Sequence, residues 1–294
     1  MSDSPAYQTA FRGLPSKVLQ QDWAALSPDE QHAYFVKNGF LVIPGAFGPE
    51  ELQEMRREIE AHRPFSSVPV MLKAFFNVPS FAPAIENPKI VSAVKRILGE
   101  DVICFKGDYL AKFPTTREKE PYERGPLHVD FAIGLDTGDY CNTSPSWLNV
   151  AIYLTDMTMD HAPFTVIPGS QNYHHLEPGV DMEQLRDEAQ LLFAKAGDAV
   201  MFYKSTVHAG GINFSDEMQH ILFVSYRPAW ARPIGRVAEW PKAFVRKASG
   251  ERLRLIKDLN RGVYQGRRYG TFKHHWKTRV NRFKRWLKEL AHSN

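Results

Sequence analysis

His128 and Asp130 stand two residues apart in the stretch Pro126-Leu127-His128-Val129-Asp130-Phe131. On a β-strand successive side chains alternate between faces, so an extended segment projects both from one side. An imidazole and a carboxylate held side by side are two ligands of a 2-His-1-carboxylate triad, the arrangement that holds non-haem Fe(II) with open positions. With 11 His and 15 Asp in 294 residues, such a pair arises by chance in about every second chain of this composition. A metal reading therefore needs a third ligand and elements that carry it to the pair.

His208 has the context for that ligand. It follows a Gly197-Asp198 turn and the apolar run Ala199-Val200-Met201-Phe202-Tyr203. It precedes Ala209-Gly210-Gly211-Ile212-Asn213-Phe214-Ser215, where small residues let backbone come close to a bound ligand. This places His208 at a strand end facing a cavity.

The positioning elements follow from periodicity. Residues 1–26 read as an irregular arm. Ser27-Pro28-Asp29-Glu30 opens a helix with a capping box and a first-turn proline, and Asn38-Gly39 closes it. Phe40–Ile43 is a short buried strand. A second helix spans 49–62 with Leu52, Met55 and Ile59 on one face. A third starts at Asn87-Pro88, carries Ile90, Val94, Ile97 and Leu98, and stops at Gly99. From about residue 101 the period changes from 3.6 to 2. Strands are expected at 102–113, 127–132, 147–155, 163–167, 198–203 and 219–227, with a weaker one at 190–194. Short strands after a helical section predict a mainly β fold, a double-sheet barrel of jelly-roll type braced by N-terminal helices.

Composition bounds the remaining classes. Hydrophobic residues make up 43% and aromatics 12%, enough for a core. Two cysteines, Cys104 and Cys141, form no disulfide framework, and the polar N-terminus has no apolar signal segment. Both point to a reducing compartment, the cytoplasm. No run of 18 apolar residues predicts a transmembrane helix. Residues 241–294 hold 16 Lys and Arg against 3 Asp and Glu, whereas 1–240 are net acidic. Trp276, Val280, Phe283, Leu287 and Leu290 give this basic extension an amphipathic helix, expected to pack its apolar stripe on a domain covering 27–240. No recognisable nucleic-acid fold accompanies the basic stripe, so nucleic acid is not the expected partner.

Five blocks, in order, resemble the phytanoyl-CoA dioxygenase family of Fe(II)/2-oxoglutarate oxygenases. They are Phe35–Gly45, Leu110–Pro114 with Pro126–Asp130, Ala151–Asp156, Pro163–Ser170, and Gly197-Asp198 through His208–Ser215. The resemblance implies a double-stranded β-helix, cupin-like in outline. It implies that His128, Asp130 and His208 hold Fe(II), and that 2-oxoglutarate and O2 are co-substrates. The implied reaction hydroxylates a C–H bond of a small molecule and releases succinate and CO2. The same iron site also serves desaturation, epimerisation and ring formation in natural-product biosynthesis, or could survive in a silent barrel whose basic tail interacts. Asp130 disfavours halogenation, because related halogenases carry a small residue there.

The co-substrate side departs from the family. Eleven residues after its last histidine ligand the family usually has an arginine for the far carboxylate of 2-oxoglutarate; here the residue is Gln219. An amide can hydrogen-bond a carboxylate but cannot form the bidentate ion pair. Lys112 matches a family lysine near the co-substrate and is the preferred cation. Asn149 and Thr165 are further candidates for orienting the oxo acid. Phe131, Trp147, Arg227 and the loop 135–146 are candidates for the substrate side, with Tyr153 expected to pack. Arg227 shares Gln219's strand face but lies roughly 26 Å further along it. His161, His174 and His175 read as solvated turn residues.

Overall fold

The computed structural model describes residues 12–61, 77–130, 147–173, 182–231 and 240–257. Helix α1 (Pro28–Asn38) starts on the capping box: Ser27 accepts from the Glu30 backbone and Glu30 reaches back to Ser27. It ends at Gly39, whose φ of 79° is the left-handed conformation that glycine adopts without a Cβ clash. Strand β1 (Phe40–Ile43) follows, buried throughout. Helix α2 (Pro49–Ala61) buries Leu52, Met55 and Ile59, as its spacing predicts. A 3-10 helix over Pro79–Ile85 leads to α3 (Pro88–Leu98), capped by Asn87 and stopped at Gly99.

The strands are β2 (Val102–Lys112), β3 (Leu148–Tyr153), β4 (Phe164–Val166), β5 (Gln190–Leu192), β6 (Ala199–Tyr203), β7 (His208–Gly210) and β8 (Gln219–Pro228). They form two antiparallel sheets, β1-β6-β3-β8-β2 and β5-β4-β7. The large sheet has two different faces because its residues alternate. Leu41, Val150, Met201, Leu222 and Val224 point to α2 and α3 in one hydrophobic cluster. Val42, Tyr153, Phe202 and Ile221 point the other way and meet Phe164 and Val166 of the small sheet. A bulge between Cys104 and Lys106 in β2 sets the register that turns Lys106, Asp108, Leu110 and Lys112 toward the space between the sheets.

Over its described residues, 127–130, the strand expected at 127–132 does not form. Two isolated bridges take its place, Arg124 to Gly211 and His128 to His208. Pro126 lies between them and has no N–H to donate, so the ladder cannot run through it. A short strand at His208–Gly210 and a 3-10 helix over Met182–Glu188 lack a periodic signal long enough to read. His161 is not solvated: it is buried and bridged to Asn213. Of the N-terminal arm, residues 12–26 lie against the body through a Val18–Leu191 bridge and Trp23, which packs on Tyr34 and Phe40. Of the basic extension, α4 (Lys242–Lys247) and α5 (Gly250–Ile256) are described, and Leu255 and Ile256 enter the core. The stripe from Trp276 to Leu290, His174, His175, Phe131 and the loop 135–146 lie outside the described residues. No helix among the described residues is long and apolar enough to cross a membrane.

Candidate metal centre

Three ligand atoms, one each from His128, Asp130 and His208, lie within 4.8 Å of one another. Asp130 Oδ1 is 3.8 Å from His128 Nε2 and 3.7 Å from His208 Nε2. The backbone brings them together: His128 and His208 exchange both N–H···O bonds at 2.9 Å, and Asp130 N donates to Lys204 O. The two imidazoles are thus cross-bridge neighbours, with ring centroids 4.5 Å apart. The partner of the His-x-Asp pair is the third residue itself, not a regular strand.

Each imidazole is oriented in the same way. His128 Nδ1 lies 2.9 Å from Pro126 O, and His208 Nδ1 lies 2.9 Å from Thr206 O. A carbonyl only accepts, so Nδ1 carries the proton and the Nε2 lone pair is left facing the centre. Burial between Phe164 and Phe202 lowers the pKa of His208, against the pull of Asp130. Desolvation therefore favours the neutral ring that binds metal. Asp130 Oδ2 accepts from Asn149 Nδ2, and Asn149 Oδ1 accepts from Trp147 Nε1 (2.9 Å) and Ser225 Oγ (2.6 Å). The donor set, two imidazoles and one carboxylate, fits a divalent first-row metal. Bonds of about 2.1 Å would draw cis ligands to about 3 Å, slightly closer than these atoms now stand.

The phytanoyl-CoA dioxygenase (PhyH) family model matches residues 35–221, across both sheets and all three of these residues. The chain belongs to the phytanoyl-CoA dioxygenase family. Membership upholds the expectation of a 2-oxoglutarate-dependent dioxygenase with iron as its metal. L-proline trans-4-hydroxylase of Streptomyces griseoviridis is 24% identical over 231 residues, covering 65% of this chain and 82% of its own. Ectoine dioxygenase of Bordetella bronchiseptica is 24% identical over 246 residues, covering 69% and 75%. The non-heme alpha ketoglutarate dependent epimerase SnoN from nogalamycin biosynthesis superposes with a TM-score of 0.56 at 22% identity, covering 73% of this chain and 86% of that one.

In this family member the triad borders a cavity of about 710 Å³ between the sheets. Lys112 and Trp147 line it, as does Tyr153, which packs as expected in the cluster between the sheets. Lys112 Nζ donates to Gly211 O at 3.0 Å and fills the space beside Gly210, where a Cβ would come within 2.6 Å of it. The small residues after His208 thus admit a lysine amine, whose pKa burial pushes down to about 8. Gln219, Thr165 and Arg227 do not border the cavity. Gln219 is fully buried and donates to the carbonyls of His161 and Ala162. Thr165 is fully buried on the small sheet, and Arg227 donates to Pro228 O and Ala231 O. Asn149 borders the cavity, but its side chain is committed to Asp130. Sequence reasoning missed Ser225, Lys106 and Asp108. A signal existed: in Val102–Lys112 the charged residues 106, 108 and 112 all fall at even positions, one face of the strand.

Proposed function

We propose that the protein is an Fe(II)- and 2-oxoglutarate-dependent hydroxylase of a small molecule, built on a double-stranded β-helix whose halves are the two sheets. The observation that carries this reading is the convergence of His128, Asp130 and His208 at one wall of an open, mostly apolar cavity. These three residues hold the metal. Iron with 2-oxoglutarate and O2 supplies the oxidising power that replaces a C–H hydrogen with hydroxyl, while succinate and CO2 leave.

The other residues position and shield. Asn149, itself held by Ser225 and Trp147, fixes the Asp130 carboxylate. Lys112 binds the far carboxylate of 2-oxoglutarate. Its amine stands beside Gly210, two residues beyond His208 along β7, about 7 Å at strand rise. That is a fitting reach for a five-carbon diacid whose other end lies at the metal. Gln219 takes no direct part, since its amide already serves two backbone carbonyls. Phe164, Phe202 and Ile221 keep water from the reacting carbon.

Likeness in fold to SnoN, a non-heme alpha ketoglutarate dependent epimerase, keeps a second outcome in view, because epimerisation brings no net gain of oxygen. Product mass separates the two. Protein loaded with Fe(II) and 2-oxoglutarate is exposed to 18O2 with a mixture of small metabolites. A product heavier by one 18O, formed with equimolar succinate, is the expected result. Succinate formed with a product of unchanged mass would show epimerisation, and a loss of two hydrogens would show desaturation or ring closure.

A further inference from the structure

The cavity face of β2 carries more charge than one co-substrate requires. Lys106 Nζ lies 2.6 Å from Asp108 Oδ2. Asp108 is only 4% exposed, yet its other oxygen, Oδ1, is buried with no hydrogen-bond partner. An unpaired buried carboxylate oxygen is costly, and a pair serving only stability leaves it unexplained. The Lys106 side chain is 43% exposed. An ammonium has three donors, of which this pair occupies one. Both residues border the cavity. One unfilled acceptor, buried just behind the wall, and two spare donors at its surface therefore stand side by side.

The sheet register places this pair relative to the metal triad. Lys106 pairs across from Ser225, and Ser225 across from Asn149, which holds Asp130. Two strand spacings, about 10 Å, separate the backbones of Lys106 and Asn149. Lys112 lies six residues further along β2, about 20 Å away and beside Gly211. The 2-oxoglutarate anchor thus stands at the C-terminal end of β2 and the Lys106–Asp108 pair at its middle. Phe223, directly across from Asp108, gives an apolar floor between the pair and β3.

We infer that Lys106 and Asp108 bind the zwitterionic head of an amino-acid-type substrate, an inference that rests on the iron and 2-oxoglutarate reading of the site. The substrate ammonium donates to Asp108, and its carboxylate accepts from Lys106. The four groups close a ring of alternating charges, and the orphaned Oδ1 gains a donor. The carbon chain then crosses Phe223 and Ser225 toward Asp130, so that a side-chain carbon reaches the metal.

The test uses the full chain loaded with Fe(II) and 2-oxoglutarate, with the twenty free amino acids and their N-acetylated forms as probes. Acetylation removes the cation and keeps the carboxylate. At least one free amino acid is expected to raise succinate release more than tenfold, and its N-acetyl form is expected to leave it unchanged. Asp108→Asn should raise KM for that amino acid by about 100-fold, and Lys106→Ala, read on protein shown to be folded, by about tenfold. Suppose the charge-transfer absorption of bound 2-oxoglutarate is present, but no free amino acid stimulates, or the acetylated forms stimulate equally. The substrate inference is then overturned while the iron reading stands. An unchanged KM in folded Lys106→Ala also overturns it. Absence of the absorption removes the iron reading and this inference with it.

Discussion

Lys112 and Gln219 lie directly opposite each other in the antiparallel pairing of β2 and β8. The residue that stands where the family usually has an arginine is therefore the cross-strand neighbour of a lysine whose amine reaches the cavity. On the proposed reading the cation comes from the neighbouring strand, while the Gln219 amide donates to the carbonyls of His161 and Ala162. If this is how the co-substrate is held, Lys112→Ala weakens 2-oxoglutarate binding by about 10–100-fold, the loss of one charge-assisted contact. Gln219→Ala and Arg227→Ala should change it by less than about threefold, since neither side chain borders the cavity. Titration of the anaerobic Fe(II) protein with 2-oxoglutarate measures all three. A larger effect of Arg227→Ala than of Lys112→Ala would refute this choice of cation.

The same contact has a pH signature. Burial holds the Lys112 amine at about 8, below the ordinary lysine value. The ammonium form binds the dianion, and this form is lost as pH rises through about 8. Affinity for 2-oxoglutarate should therefore fall above pH 8, and binding in that range should take up a proton. In Lys112→Arg the charge persists, so the decline should vanish. Calorimetry in buffers of different ionisation enthalpy reads the proton directly.

Asn149 tests the orientation of the metal carboxylate. Removing its amide in Asn149→Ala frees Asp130 from the chain that runs through Ser225 and Trp147. Outer partners of metal ligands typically contribute 10–100-fold in affinity. Fe(II) binding should weaken by about that factor, with a smaller loss in Ser225→Ala. Competition against a chromogenic chelator measures it.

Metal should also stabilise the fold. Mn(II), a redox-inert stand-in, adds about 2.7 kcal/mol at a free concentration 100 times its Kd. Thermal unfolding should show a rise in Tm for the wild-type chain and none for His208→Ala.

A buried ion pair holds the segment that leads into the centre. Glu183 accepts from both terminal nitrogens of Arg124 and from Leu127 N, next to His128. Arg124 is 2% exposed. Arg124→Ala leaves Glu183 without its counter-charge and should cost about 3–5 kcal/mol of stability by denaturant unfolding.

The helices and long strands were legible because their signals are local. Ser27 with Glu30 and Gly39 bound α1, and long runs rich in apolar and aromatic residues mark β2 and β8. The triad was legible because spacing and context singled out three residues. How they meet was not. The His128–His208 bridge is a contact 80 residues apart in sequence, between segments too short to show a period. Pro126 argues against the strand expected there, and that cue was available. The roles of Gln219 and Asn149 depend on where two amide side chains turn, and strand alternation gives only the face. Lys106 and Asp108 were visible as charges at even positions, but only the register with Ser225 and Asn149 ties them to the metal.

The central claim is that His128, Asp130 and His208 hold an iron which 2-oxoglutarate chelates. Anaerobic addition of 2-oxoglutarate to the Fe(II)-loaded chain, followed by visible absorption, tests it most directly. A metal-to-ligand charge-transfer band that saturates with 2-oxoglutarate in the wild type, and is missing in His208→Ala, is the predicted result. No band in a folded wild-type chain at saturating Fe(II) and 2-oxoglutarate, or an equal band in His208→Ala, would contradict it.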